Sequence, residues 1–312
     1  MNKFYLMLLV FLFSGVLASQ AQQQFTYTQF IDNLTAINPA WSLTQDGGAI
    51  NILGRKQWLN IEGAPSTFMA NGYMPIKSIN ATLGFTFMND NVAVENLNEF
   101  NFFFAKAVKL DDELYLSAAV NGGFRKYKAL YSNLDPSDPS LVNSDINESK
   151  PNFGAAVMLY SPGKFYAGVS LPRLSYQNLG AGSVAGSGNY KNFYFLTLGY
   201  TYQMGEDFKL DNASVIAYTP NVPLEADISS KIWVKNAVGV GFDYRSSNEL
   251  ALLTSFRNDN LSIGYSYMFS FGGTRVAGFS NATHEISIGY FFGNGDGRGS
   301  RDTGGGDLRV RK

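Results

Sequence analysis

Apolar and polar residues alternate along most of this chain. LSIGYSYMF sets Leu261, Ile263, Tyr265, Tyr267 and Phe269 on one face, with Ser262, Gly264, Ser266 and Met268 on the other. INATLGFTF opposes Ile79, Ala81, Leu83, Phe85 and Phe87 to Asn80, Thr82, Gly84 and Thr86. AVGVGFDYR opposes Val238, Val240, Phe242 and Tyr244 to Gly239, Gly241, Asp243 and Arg245, and HEISIGYFF opposes Ile286, Ile288, Tyr290 and Phe292 to Glu285, Ser287 and Gly289. A period of two is the mark of β-strands. Such segments fall near 48–58, 66–75, 79–89, 97–110, 113–124, 152–161, 164–172, 191–203, 207–219, 226–235, 236–245, 249–257, 260–270 and 283–292. Each is close to the roughly 9–11 residues that a tilted strand needs to cross a bilayer.

The connections between these segments are sorted by length. MPIKS, KLDDE, SPGK, QMGED, VKN and RNDN are short. The intervening WLNIEGAPS, NDNVAVEN, TPNVPLE and SFGGTRVAGFSNAT are longer, and Arg125 to Pro151 and Pro172 to Lys191 are the longest; RSSNE is the exception. Short turns on one side and long loops on the other are what an up-and-down bacterial barrel shows. The expected fold is therefore all-β: an antiparallel transmembrane β-barrel of about fourteen strands, with both termini periplasmic. Closure follows because lipid offers no hydrogen-bond partner to an open sheet edge.

Composition supports this class. Aromatic residues make up 15% of the chain and charged residues only 16%, against a usual charged share of about 25%. The net charge of -1 gives no reason to expect nucleic acid as a partner. There is no cysteine, hence no disulfide and no lipid-modified cysteine. The N-terminus, MNKFYLMLLVFLFSGVLASQA, reads as a signal peptide cleaved after Ala21. Residues 22–46 form an N-terminal periplasmic or lumenal segment, 47–292 the barrel, and 293–312 a Gly- and Asp-rich periplasmic tail.

Candidate chemistry is sparse. The single histidine, His284, precedes Glu285 at the start of the last strand. A hydrolase would need it, but HEIS is not HExxH and no second histidine completes a zinc site. GNGDGRG at 293–299 lacks the Lys-Ser/Thr of a phosphate loop. Asp135, Asp138, Asp145 and Glu148 share an acidic loop without EF-hand spacing. Trp58, Trp233, Tyr194 and Tyr202 near strand ends are expected in interfacial girdles. No catalytic, metal or cofactor site is expected. The aromatic segment 22–46 is expected to fold against the inner wall or to close the periplasmic mouth, because the inner face, chiefly Gly, Ser, Thr and Asn, leaves a lumen to fill.

The ordered motifs resemble the PorP/SprF family. They are FTYTQFIDNLTAINPAW with Asn38 and Pro39, GRKQW with Arg55, Gln57 and Trp58, and EGAPSTF with Gly63, Ala64 and Pro65. PNFGAAVMLYSPGKFYAGVSLPRL is similar to the family's paired central strands, and LSIGYSYMF and THEISIGYFF, with His284 and Glu285, to its last hairpin. The resemblance implies an outer-membrane barrel of the type IX secretion and gliding apparatus. It further implies, as partners, the C-terminal sorting domain of a secreted adhesin and periplasmic lipoproteins of that apparatus, with outer-membrane lipid around the barrel. The candidate partner-binding residues lie in the two longest connections: Arg125, Lys126, Tyr127, Tyr131, Asp135, Asp138, Arg173, Tyr176 and Asn178. The rival reading is a porin-like channel for small solutes, because about fourteen strands falls between a filled barrel and an open one.

Overall fold

A computed structural model of the chain describes residues 26–59, 61–134, 138, 145–174, 192–220, 222–271 and 282–293. Its strands are β1 (Gly48–Gln57), β2 (Ser66–Ile76), β3 (Ala81–Val92), β4 (Glu95–Asp111), β5 (Leu114–Ala129), β6 (Ile146–Ser161), β7 (Phe165–Leu174), β8 (Tyr194–Met204), β9 (Phe208–Tyr218), β10 (Glu225–Val234), β11 (Val238–Arg245), β12 (Glu249–Arg257), β13 (Leu261–Ser270) and β14 (Thr283–Phe292). Every strand pairs antiparallel with its sequence neighbours, and β14 closes on β1 with Gly48 opposite Phe292 and Arg55 opposite Glu285.

The alternation in sequence becomes an alternation between two solvents. Ile50, Ile52, Leu83, Phe102, Val120, Val169, Val240, Leu252, Ile263 and Ile288 stand on the outer surface. In water this band would be prohibitive; against hydrocarbon it is the favourable choice. The intervening positions, among them Asn71, Thr82, Asn101, Ser117, Thr197, Ser229 and Ser266, point inward and are buried. Among the described residues no helix is long and apolar enough to cross a membrane, so the crossing elements are strands. The protein is an outer-membrane β-barrel.

One mouth carries the brief turns at 77–80, 112–113, 162–164, 205–207, 235–237 and 258–260, together with the start of β1 and the end of β14. The other mouth carries the longer connections. Two expectations there need correction. NDNVAVEN is not a long loop: β3 and β4 run through it to a tight turn at Ala93, whose φ is 50°. The connection between β5 and β6 is also shorter than Arg125 to Pro151, because β5 continues to Ala129 and β6 begins at Ile146. Both extensions keep the period of two but replace outward apolar residues by Asn or Lys. β4, β5 and β6, of 17, 16 and 16 residues, exceed what a bilayer requires, so this wall stands proud of the membrane.

Candidate functional site

The segment from Thr26 to Asp46 lies inside the barrel. Its aromatic and aliphatic residues Tyr27, Phe30, Leu34, Ile37 and Trp41 are buried with inward residues of the wall. Contact with opposite walls proves the placement. Ser170 on β7 donates to the Ile37 carbonyl at 2.7 Å, while Glu285 on β14, half the ring away, accepts from the Thr28 N–H at 2.9 Å. No surface location reaches both.

Local chemistry shapes the segment. Pro39–Thr44 form a 3-10 turn capped at its N-terminus by Asn38. The Asn38 side chain accepts the Ala40 N–H at 3.1 Å, and Pro39 takes the first helical position, where its missing N–H costs nothing. The Asn-Pro pair is thus a cap. Thr28–Ile31 form a second 3-10 turn. Small wall residues make room for the segment: a Cβ at Gly168 would stand 2.7 Å from Asn38 Nδ2, and one at Gly264 2.1 Å from Gln29 Oε1.

Charged side chains hold the segment in place. Glu285 accepts from the Thr28 N–H and hydroxyl and from the Gln29 N–H at 3.2 Å, and faces Arg55 Nε at 3.5 Å. Arg55 also donates to the Thr26 carbonyl. Beside them Arg245 makes a paired contact with Asp227, at 2.7 and 3.0 Å, and reaches Glu249 at 3.5 Å. These residues lie toward the long-loop mouth. Nearer the other mouth, Asp32 of the segment meets Lys231 at 2.5 Å and Arg257 at 3.9 Å. Trp233 sits beneath this pair, with Arg257 4.2 Å and Lys231 5.4 Å from its ring. On the wall of β4, β5 and β7, Glu99 binds Arg173 at 2.7 Å and Arg125 at 3.3 Å.

The chain therefore enters the described structure at Thr26 near the long-loop mouth and descends to Gly48 at the other. Of the two placements expected for residues 22–46, the described part, from Thr26, folds against the inner wall rather than only closing a mouth. The inner wall is also less neutral than its small residues implied, because buried charged residues recur at inward positions of β1, β4, β5, β7, β9, β10, β11 and β14, two each on β10 and β11.

The residues singled out in the sequence divide into groups. Asn38, Pro39, Arg55 and Glu285 converge on the lumenal segment. Gln57, Trp58, Gly63, Ala64 and Pro65 build the β1–β2 connection: the Gln57 N–H donates to the Pro65 carbonyl, Trp58 to Ala282, and Ala93 to Gly63, which takes φ 72°. Arg125, Tyr127 and Arg173 lie on strands with inward, buried side chains rather than on loops, and Lys126 points outward on β5. Tyr131 is buried and donates to Glu95 at 2.8 Å. Asp138 is partly buried. Asp135, Tyr176 and Asn178 lie outside the described residues. Trp233 is not a girdle residue; it faces the lumen, whereas Tyr194 and Tyr202 are on the outer surface.

His284 faces outward on β14, where the Tyr265 hydroxyl lies 2.7 Å from Nδ1 and the Tyr267 ring packs edge-on at 5.2 Å. Both neighbours are exposed tyrosines of β13. The His284→Ala variant is expected to keep its fold, with a stability change of less than about 1 kcal/mol, as for a surface position. A urea titration of the vesicle-inserted barrel checks this; unfolding of the variant in mild denaturant contradicts it.

Barrels of this kind divide by what occupies the lumen, and here it is the chain's own N-terminal segment. Among such outer-membrane proteins, the description that fits the sequence is the type IX secretion system membrane protein PorP/SprF family, which matches residues 19–290. The chain belongs to that family. No curated protein matches it. Similar solved structures include the Acinetobacter baumannii outer membrane protein Omp33, with 8% identity over 80% of this chain and 99% of that chain at a TM-score of 0.49. The CymD monoaromatic hydrocarbon channel shows 11% identity over 86% of this chain and 94% of that chain at 0.47. The P. putida toluene transporter TodX shows 10% over 86% and 95% at 0.45.

Proposed function

We propose that this barrel is a non-enzymatic holder in type IX secretion, one that assists export or surface anchoring of a secreted adhesin through the adhesin's C-terminal sorting domain. The observation that carries the reading is the occupied lumen. A solute channel of this size would keep its interior open, whereas residues 26–46 bind both walls through Glu285, Ser170, Lys231 and Arg257. A filled barrel suits a protein that binds at its mouth without leaking. Family membership supports the secretion context. The tall wall of β4–β6 adds a rigid surface beyond the membrane, where recognition is commonly carried by loops on a scaffold. In this reading the mouth with the short turns faces the periplasm and the mouth with the longer connections faces outward.

Gentle detergent extraction of the native cells tests the reading. The tagged barrel is expected to retain an exported protein that ends in a sorting domain, identified by mass spectrometry. Recovery of the barrel alone, together with open-porin conductance, would favour the solute-channel reading.

A further inference from the structure

Charge is sorted between the two faces of the tall wall. Where β3 to β6 rise past the membrane, Asp90, Glu95, Glu99 and Glu148 fall in the inward phase, with the buried Met88, Leu97 and Asn152. The outward phase differs. Its first row sets Asn89, Asn98, Lys126 and Ser149 side by side, and its second sets Asn91, Asn96, Lys128 and Asn147. Neither row holds a carboxylate, and both lysines are exposed. The rows span about 14 Å across four strands and lie about 7 Å apart, the footprint of a disaccharide.

The four asparagines form a closed ring. Asn89 donates to Asn98 at 2.9 Å, Asn98 to Asn96, Asn96 to Asn91, and Asn91 back to Asn89 at 2.6 Å. Each amide gives one N–H and one carbonyl lone pair to the ring and keeps a second of each. The ring also fixes all four amides in orientation, which lowers the ordering cost of binding. Sugar hydroxyls, donor and acceptor at once, use both kinds of group. Directly beneath, the outward phase turns aromatic: Phe87 stands opposite Phe100, and Phe100 opposite Phe124. Ring centres of the second pair are 6.1 Å apart, and Phe102 packs edge-on against Phe100 at 4.8 Å.

We propose that this outer face is a headgroup site for a phosphorylated glycolipid of the outer leaflet. Lys126 and Lys128 take its phosphate, the asparagine ring takes its sugar hydroxyls, and its acyl chains lie on the phenylalanines below. The proposal rests on the orientation given above, with the longer connections outside. Charge complementarity selects an anionic ligand, because the only charges in the two rows are cationic. Continuity with the aromatic surface selects a lipid over an acidic protein. One amphipathic molecule covers both the polar rows and the rings beneath them, whereas a soluble protein surface meets only the rows.

Native mass spectrometry of the full-length barrel in mild detergent, titrated with lipopolysaccharide from the native cells, tests the site. The paired variant Lys126→Gln/Lys128→Gln is compared with Lys106→Gln/Lys235→Gln, two exposed lysines toward the short-turn mouth. The first pair is expected to lower the affinity by about tenfold or more, and the second to leave it unchanged. Dephosphorylated lipopolysaccharide is expected to bind the unaltered barrel as weakly as the intact glycolipid binds the first variant. Equal affinity in both variants overturns the site. So does loss of a co-purifying exported protein from the first variant with glycolipid binding intact, which would make the rows a protein-binding face. Orientation is read separately. The chain has no cysteine, so Asn133→Cys at the long-loop mouth is expected to react with a membrane-impermeant maleimide on whole cells. No reaction overturns the orientation and the glycolipid site together; reaction without glycolipid binding overturns the site alone.

Discussion

Replacing Glu285 with alanine is expected to destabilise the barrel by about 3–5 kcal/mol, the usual cost of removing one partner of a buried ion pair. The residue does two things at once. Its carboxylate neutralises Arg55 at 3.5 Å and accepts the Thr28 and Gln29 N–H groups. Alanine leaves a buried guanidinium beside two unsatisfied backbone donors, each of which adds a desolvation cost. The Glu285→Gln variant keeps an acceptor for the amides but not the charge, so its loss is expected to fall between the two. Urea titration of the vesicle-inserted protein reads the effect. A Glu285→Ala midpoint equal to that of the unaltered barrel would mean that Arg55 and the segment are held by something else.

On the opposite wall, Glu99→Ala is expected to cost about as much, again about 3–5 kcal/mol. Glu99 is the shared carboxylate of Arg173 at 2.7 Å and Arg125 at 3.3 Å, and it also accepts the Asn101 amide at 2.9 Å. Without it two guanidiniums repel across a narrow gap. The loss is also expected to be local, because Arg173 stands at the end of β7 and is held there by Glu99. Amide hydrogen exchange at Leu171–Leu174 is expected to accelerate more than exchange in β12 or β13. Uniform acceleration around the ring would contradict the link between Glu99 and the β7 tip.

Much of this architecture is legible in the sequence because a membrane barrel imposes period two on each crossing strand. The segments near 249–257 and 283–292 match β12 and β14 to the residue. What alternation conveys less well is where a strand stops when its outward residues turn polar. Lys126 and Lys128 on β5 look like loop residues, yet they continue the strand above the lipid, where a cation is as acceptable as a leucine. For the same reason Arg125 and Arg173 read as loop residues although they face the lumen.

The candidate site was half legible. The aromatic residues before β1, with no lipid-facing role, mark residues 22–46 as a segment for the inner wall or the periplasmic mouth, and Asp243, Arg245 and Glu285 stand in the polar phase of their strands. Their partners are not visible in the chain. Arg55 meets Glu285 only because β1 closes on β14, and Asp32 meets Lys231 across 199 residues. Trp233 shows the limit plainly: a tryptophan near a strand end suits a girdle, and only its register, opposite Gly239 and beside Lys209, turns it inward.

The lumenal segment is the centre of the account, and planar-bilayer conductance addresses it most directly. The mature barrel is expected to conduct little, because residues 26–46 bridge opposite walls. Deleting residues 22–41 removes those bridges and leaves fourteen strands around a lumen too wide for its own side chains to fill. That variant is expected to show a conductance many-fold higher. An intact protein that already conducts like an open porin, or a deletion that leaves conductance unchanged, would contradict the plugged-holder account.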